Sequence, residues 1–389
     1  MSTDIQRLQT MFTERFGQAP EIGARAPGRV NIIGEHTDYN YGYVLPMAIE
    51  HDTAIVGRGR ADTVLRLYAA NLDSFAVLDL DTRTRSADAP WTDYVVGVAD
   101  QLIRAGRRVT GADMAILGDV PVGCGLSSSA ALEMAALVFF ETIGGFRLAD
   151  ADAALLGQRV ENEFLGLSTG IMDQFISRCG KAGHALFLDC RSHDYALTPV
   201  TFENALFVIA NTACSRGLTA SKYNERVAEC ALAVEALKQQ LGGSGTHLRD
   251  YSHQDLLTVQ DFLEDIPFRR ARHVITENDR TLAAREAMRA GDAEALGRLM
   301  DASDASLRVD YEVTSRELDV MTRIARAHPA CLGARMTGAG FGGCTINLVL
   351  REQVDAFSES LMQGYHTETG ITGEVFVSTP ASGAQPLSL

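Results

Sequence analysis

The sequence contains no Cys-x-x-Cys spacing, no Gly-Lys-Ser or Gly-Lys-Thr, no His-Arg-Asp, no Asp-Phe-Gly and only one tryptophan. Each absence excludes something. The seven cysteines, an odd number with no paired histidine, read as reduced and mostly buried thiols rather than a disulfide frame or a zinc site. The missing triplets rule out a Walker phosphate loop and a protein-kinase site. Long apolar runs are also lacking: Met134 to Phe140 is bounded by Glu133 and Glu141, far short of the ~20 residues a membrane helix needs. Cations are scarce, 35 Lys and Arg against 50 Asp and Glu, for a net charge of −15. That balance excludes nucleic acid and anionic membrane as bulk partners, so an anionic ligand must meet local cations, backbone amides or a metal. Residues 1–6 include Asp4 and no apolar run, so no secretory signal is expected and the reading is of a cytoplasmic protein. Neither a repeat nor a low-complexity segment is present.

What is there suggests about two domains in 389 residues. Thr3 and Gln6 fit a capping box, and Ile5, Leu8, Phe12 and Phe16 share one helical face before Gly17. Ala24 to Glu50, dense in Gly, Asn, Asp and Tyr, reads as a long loop. Short β-rich runs at Thr53–Val56, Val64–Ala69 and Phe75–Leu80 predict an antiparallel sheet. Tyr94–Ile103, Leu132–Phe140 and Leu155–Phe164 read as helices, and Met114–Gly118, Ala185–Leu188 and Leu206–Ala210 as strands. The domain change is placed between the last two strands, giving lobes of residues 1–200 and 201–389. Tyr223, Val227, Cys230, Val234, Leu237 and Leu241 then mark an amphipathic helix ended by Gly242 and Gly243. Helices run on to Arg326, and the tail reads strand, glycine loop, strand, helix, strand, an α+β pattern.

Three stretches could carry chemistry. Gly123 to Ala131, Gly-Cys-Gly-Leu-Ser-Ser-Ser-Ala-Ala, opens a helix with two glycines and three hydroxyls. Glycines let backbone approach an anion, and the N–H groups and dipole of a helix start point at it. The plainer reading is that Ser127 or Ser128 only caps the helix. Gly338 to Gly343 matches the dinucleotide spacing G-x-G-x-x-G, but it runs into the β-rich Cys344–Leu350 instead of a helix, so it reads as a turn approaching a ligand or the other glycine loop. Asn31 to Asn40 holds Glu35, His36 and Asp38 within four positions, acceptors suited to a polyhydroxylated ligand, or else a solvated turn. His36 has no second histidine at metal-ligand spacing. Asp173, flanked by Ile171, Met172 and Phe175, should be partly buried and therefore needs a partner, for which Arg29 is the candidate.

These stretches carry a family resemblance. RVNIIGEHTDYN (Arg29 to Asn40) resembles the galactokinase signature, and PVGCGLSSSA (Pro121 to Ala130) and TGAGFGG (Thr337 to Gly343) resemble the second and third motifs of the GHMP small-molecule kinases. ENEF and GIMDQF between Glu161 and Phe175, LFLDCRS from Leu186, SKYNERVAEC from Ser221 and RHVITEN from Arg272 are similar to further galactokinase segments. The resemblance implies a two-lobed α+β fold with mixed or antiparallel sheets packed with helices and the site in the cleft between lobes. It implies an ATP- and Mg²⁺-dependent kinase acting on the C1 hydroxyl of galactose. In that picture Arg29 and Asp173 form the catalytic pair, and Glu35, His36, Asp38, Gly170 and Tyr223 hold the sugar. Gly123, Cys124, Gly125, Leu126, Ser127, Ser128 and Ser129 wrap the ATP phosphates, Trp91 lies toward the adenine, and Ser129 and Glu161 hold Mg²⁺. Departures from the family pattern are Ser168-Thr169 where Asn-Cys is common, and Asp304 where a histidine is common. The alternatives are a kinase for a related sugar, such as an N-acetylated galactose or arabinose, and a sugar and ATP sensor without turnover. Sensors of this kind have an altered serine loop, whereas Gly125 to Ala130 is intact.

Overall fold

The computed structural model describes residues 3–214 and 219–389. Its first half contains helix α1 (Ile5–Phe16), strands β1 (Ile22–Asn31), β2 (Tyr43–Val44), β3 (Pro46–Gly59), β4 (Val64–Ala69) and β5 (Ser74–Asp79), helix α2 (Thr92–Arg104), strand β6 (Ala112–Gly118), helices α3 (Ser128–Gly144), α4 (Asp150–Arg159) and α5 (Met172–Cys179), and strands β7 (His184–Asp189) and β8 (Tyr195–Pro199). The second half contains β9 (Ala205–Asn211), α6 (Thr219–Leu241), α7 (His253–Thr258), α8 (Asp265–Ala290), α9 (Ala293–Ser306), α10 (Arg316–Ala327), β10 (Cys331–Thr337), β11 (Cys344–Leu350), α11 (Val354–Thr369), β12 (Glu374–Val377) and β13 (Gln385–Leu387).

Three sheets result, ordered β13-β1-β3-β6-β4-β5, β10-β11-β9-β12 and β2-β7-β8. Among the described residues every pairing is antiparallel except β4 with β6, which makes the first sheet mixed. The first and second sheets draw their strands from the two halves of the chain, with one exception. The last strand, β13, returns to pair with β1. Helix α3 is apolar nearly all round, and Ala130, Ala131, Met134, Ala135, Leu137 and Phe139 are fully buried where it packs on β1, β3, α2 and α5. A helix so enclosed cannot tilt independently of the sheet, so the loop at its start is a fixed part of the site.

Two local expectations are corrected. Asp4, not Thr3, caps α1 by accepting from Arg7 N at 3.0 Å, while Thr3 bonds Asp52 across the sheet. Most of Ala24–Glu50 is strand rather than loop, and only the stretch between β1 and β3, broken by the short β2, is irregular. Its polar residues misled because many are buried with partners: Asn31 donates from its backbone N to the Thr337 hydroxyl oxygen at 2.9 Å, and Thr37 donates to the Gly34 carbonyl at 2.9 Å. By contrast Val64–Ala69 and the α6 spacing are found as read, with Cys230, Val234 and Leu237 buried.

Candidate active site

Arg29 follows a bulge in β1. The β1 and β3 register shifts between Pro27 and Arg29, and a bulge re-aims the next side chain. A Cβ on Gly28 would lie 2.6 Å from the Leu126 carbonyl oxygen, so only glycine lets the serine loop come this close. Arg29 then donates from its backbone N to that carbonyl at 3.0 Å and from Nη1 to the Gly125 carbonyl at 2.5 Å. Its Nε and Nη2 donate to the two Asp173 carboxylate oxygens at 2.7 and 2.8 Å, a two-point fork that fixes both planes. The arginine side chain is 5% exposed and the aspartate 30%, so the carboxylate is the open member of the pair.

In the serine loop Gly123, Gly125 and Ser127 all take positive φ, at 76°, 77° and 60°. Ser127 stands at the start of α3 yet makes no side-chain cap; its hydroxyl donates to Asp173 Oδ2 in a close hydrogen bond. The loop's seven residues do not act alike. The Leu126 side chain is fully buried in the core, and the Cys124 thiol donates to the Val122 carbonyl at 3.5 Å, so these two offer backbone groups. Ser128 and Ser129 line a cavity of about 800 Å³ together with Trp91, Tyr94 and Leu72, and the Trp91 ring is pinned by donation from Nε1 to Ser74 Oγ at 3.2 Å.

A second cavity, about 650 Å³, adjoins the first, with Tyr94 and Ser129 lining both. It gathers Arg29, Asp173, Glu35, His36, Asp38 and Tyr223, together with Gly170, from segments far apart in the sequence. Glu35 arrives with its oxygens engaged, accepting from Gly338 N at 2.7 Å and closely from Asn31 Nδ2, with Arg335 at 3.5 Å; burial raises its carboxyl and Arg335 opposes this. Burial pushes His36 down to about 3, so its ring is neutral, with Nδ1 paired to Tyr39 Oη at 2.9 Å. Burial, and after it the nearby Asp173 charge, pushes Asp38 up to about 7. Gly170 is glycine because a Cβ there would collide with Asp38 Oδ2. The glycine-rich turn at 338–343 reaches the cavity through Gly338 and Ala339 and is otherwise anchored by Phe341 N to the Val313 carbonyl at 2.7 Å.

Where the cavities meet, Ser129 Oγ donates to Glu161 Oε1 at 3.3 Å. Glu161 sits in a π-helical turn, Val160–Phe164, and its burial raises the carboxyl. Two hard oxygen donors suit Mg²⁺, which keeps water and takes phosphate oxygens as its other ligands rather than a full protein cage. Among the described residues no group of three or more His, Cys, Asp or Glu that could hold a metal is found.

Sequence reasoning missed Tyr94 and Glu133. Glu133 is fully buried, accepts from Gln174 Nε2 at 3.2 Å, and is driven well above the usual carboxylate range by burial and then by Glu161. Its position four residues after Ser129, on the same helical face, was the available signal. Asp304, one departure from the family pattern, lies elsewhere, buried between α9 and β10, where it pairs closely with Arg326 and accepts from Met336 N at 3.3 Å.

A serine loop opening a buried helix, an Arg–carboxylate fork beside it and two joined cavities define a small-molecule kinase of the GHMP class. The profile for the GHMP kinases N terminal domain matches residues 93–181, and that for GHMP kinases C terminal matches residues 284–366. A mevalonate kinase structure shares the fold with a TM-score of 0.66 at 20% identity, covering 92% of this chain and 100% of that one. A narrower profile, the galactokinase galactose-binding signature, matches residues 10–59. The galactokinase of Roseiflexus sp. is 43% identical over 98% of this chain and 96% of its own length, and that of Streptococcus suis is 40% identical over 99% of each. The crystal structure of Lactococcus lactis galactokinase complexed with galactose superimposes with a TM-score of 0.95 at 38% identity, covering 99% of this chain and 100% of that one. The chain belongs to the galactokinase family.

Proposed function

We propose that the protein transfers the γ-phosphoryl group of ATP to the anomeric C1 hydroxyl of galactose, giving galactose 1-phosphate and ADP. The observation that carries this reading is the Arg29–Asp173 fork at the edge of the smaller cavity, beside the loop lining the larger one. ATP lies in the larger cavity, its base toward Trp91 and its phosphates along Gly123 to Ser129. The sugar lies in the smaller one, among Glu35, His36, Asp38, Gly170 and Tyr223. In the reaction an O–P bond forms at C1 and the bond from the γ-phosphorus to the β-γ bridging oxygen breaks. Asp173 accepts or orients the C1 proton while the two-point fork from Arg29 holds its carboxylate aligned. Phosphoryl transfer asks little covalent chemistry of a protein and is accelerated by alignment and by neutralising spread charge. Ser129 and Glu161 would hold Mg²⁺, which, when bound, neutralises charge on the β- and γ-phosphate oxygens. The two functional lobes are residues 1–200 and 201–389, and the enzyme works in the cytoplasm.

The test is ADP release with Mg-ATP across a panel of free sugars including galactose, glucose, N-acetylgalactosamine and arabinose. Galactose is expected to give the highest kcat/KM by a wide margin. Preference for another sugar would move the assignment within the sugar kinases, and binding of sugar and ATP without ADP release would favour a sensor.

A further inference from the structure

The sugar segment is held from outside by one face of α8. His273, Glu277 and Asn278 lie at spacings of four and one along that helix, and all three reach residues 34–43. Glu277 Oε1 accepts from Gly34 N at 3.0 Å, from Glu35 N at 3.3 Å and from Ser303 Oγ at 2.6 Å, while its Oε2 accepts from Arg280 Nε at 2.7 Å. His273 Nε2 faces the Glu35 carbonyl oxygen at 3.1 Å, and a ring nitrogen facing a carbonyl must carry the proton; Nδ1 pairs with Ser306 Oγ at 3.0 Å. Asn278 Oδ1 accepts from Tyr43 N at 2.9 Å. So both sides of the Glu35 backbone, and the segment's exit at Tyr43, are fixed by α8.

Both His273 and Glu277 are fully buried. Burial alone would raise the Glu277 carboxyl, but Arg280, then His273 and Arg335, hold it at about 2. Ionised, it makes charge-assisted bonds to two successive amides, which are stronger than neutral ones. A helix could be joined to a loop by apolar packing alone; a buried charge aimed at two backbone N–H groups fixes their direction as well. The residues of this face lie outside all three matched regions, 10–59, 93–181 and 284–366.

We propose that Glu277 and His273 are positioning residues for the sugar, setting the pose of Glu35, His36 and Asp38 and through it the discrimination between galactose and its C4 epimer. This rests on reading residues 35–38 as the sugar-holding segment. None of the bonds from this face reaches the serine loop, so the nucleotide side stays as it is.

The experiment measures KM for galactose and for ATP separately, and the galactose-to-glucose ratio of kcat/KM, in the full-length protein. Glu277→Gln is expected to raise the galactose KM at least tenfold and to lower the sugar ratio, with the ATP KM within twofold of the parent. His273→Leu, which loses the donor to the Glu35 carbonyl, should shift the same way, and His273→Gln, which keeps a donor near the Nε2 position, should restore most of the loss. A merely structural role would move both KM values together, or lower kcat alone through loss of folded protein; either result overturns the proposal, as does His273→Gln being as impaired as His273→Leu. Should Glu277→Gln fail to fold, the His273 pair decides. Absence of galactose turnover in the parent would sink the functional reading itself, whereas a working parent with unshifted variants sinks only the role of α8.

Discussion

The Ser127 hydroxyl donates to the Asp173 carboxylate rather than to the backbone of the helix that Ser127 begins. A serine at that position would ordinarily cap α3, and the left-handed backbone at Ser127, φ 60°, is what turns the hydroxyl away from the helix. The loop proposed to wrap the phosphates and the carboxylate proposed to meet the sugar hydroxyl therefore share a bond.

Removing that bond should slow the reaction without loosening either substrate. A hydrogen bond to a charged group contributes about 1.5–3 kcal/mol, so Ser127→Ala should lower kcat about tenfold or more. Steady-state kinetics with both substrates varied checks this. An unchanged kcat would mean that Arg29 alone orients Asp173.

Asp173→Asn keeps shape and loses the acceptor charge. Proton transfer by a placed side chain contributes roughly 10²–10⁴-fold, and a loss of kcat in that range is expected, with ATP and galactose still binding by calorimetry. Arg29→Lys retains charge but not the fork seen at Nε and Nη2, so it should be slow rather than inactive. Single-turnover transfer at the parental rate in Asp173→Asn would remove Asp173 from the mechanism.

Asp38 should make the ligand-free protein pH-sensitive. Its carboxyl is raised from 3.8 to about 7, so the folded chain binds a proton that the unfolded chain has lost. The stabilising contribution is complete below about pH 4 and is lost as pH rises to about 7. Asp38→Asn cannot ionise; its melting temperature relative to the parent should match at pH 4 and exceed it at pH 8. The same variant should lose galactose turnover while still binding ATP. Parallel melting curves across that range would show that Asp38 is not held neutral.

Glu161→Ala removes one of the two oxygen donors at the joint of the cavities. The Mg²⁺ concentration for half-maximal rate should rise several-fold and kcat should fall. A titration of rate against free Mg²⁺ at fixed ATP settles it, and an unmoved midpoint would exclude Glu161 as a ligand.

Much of this site was legible because its chemistry is local: the serine loop, the Glu35–Asp38 cluster and the Asp173 segment are each short runs whose residue types declare themselves. The Arg29–Asp173 pairing was legible from need, a carboxylate among apolar neighbours requiring a cation. What failed depends on distant chain. The polar residues of Ala24–Glu50 look solvated until β13, β3 and Thr337 supply their partners. Thr3 seemed a cap because nothing nearby announced Asp52. Glu277 looks like any helical glutamate, since the amides it holds are 243 and 242 positions away.

The return of β13 brings the C-terminal end of the chain back to β1, its first strand. β1 is also the strand whose bulge presents Arg29, so until residues 385–387 emerge during synthesis its outer edge lacks a partner. A nascent chain can thus possess every residue of both cavities and still lack the clasp on the strand that aims the arginine. Cutting the chain before Gln385, a change that touches no site residue, should expose β1 to proteases and lower turnover, which limited proteolysis of the truncated protein would read directly.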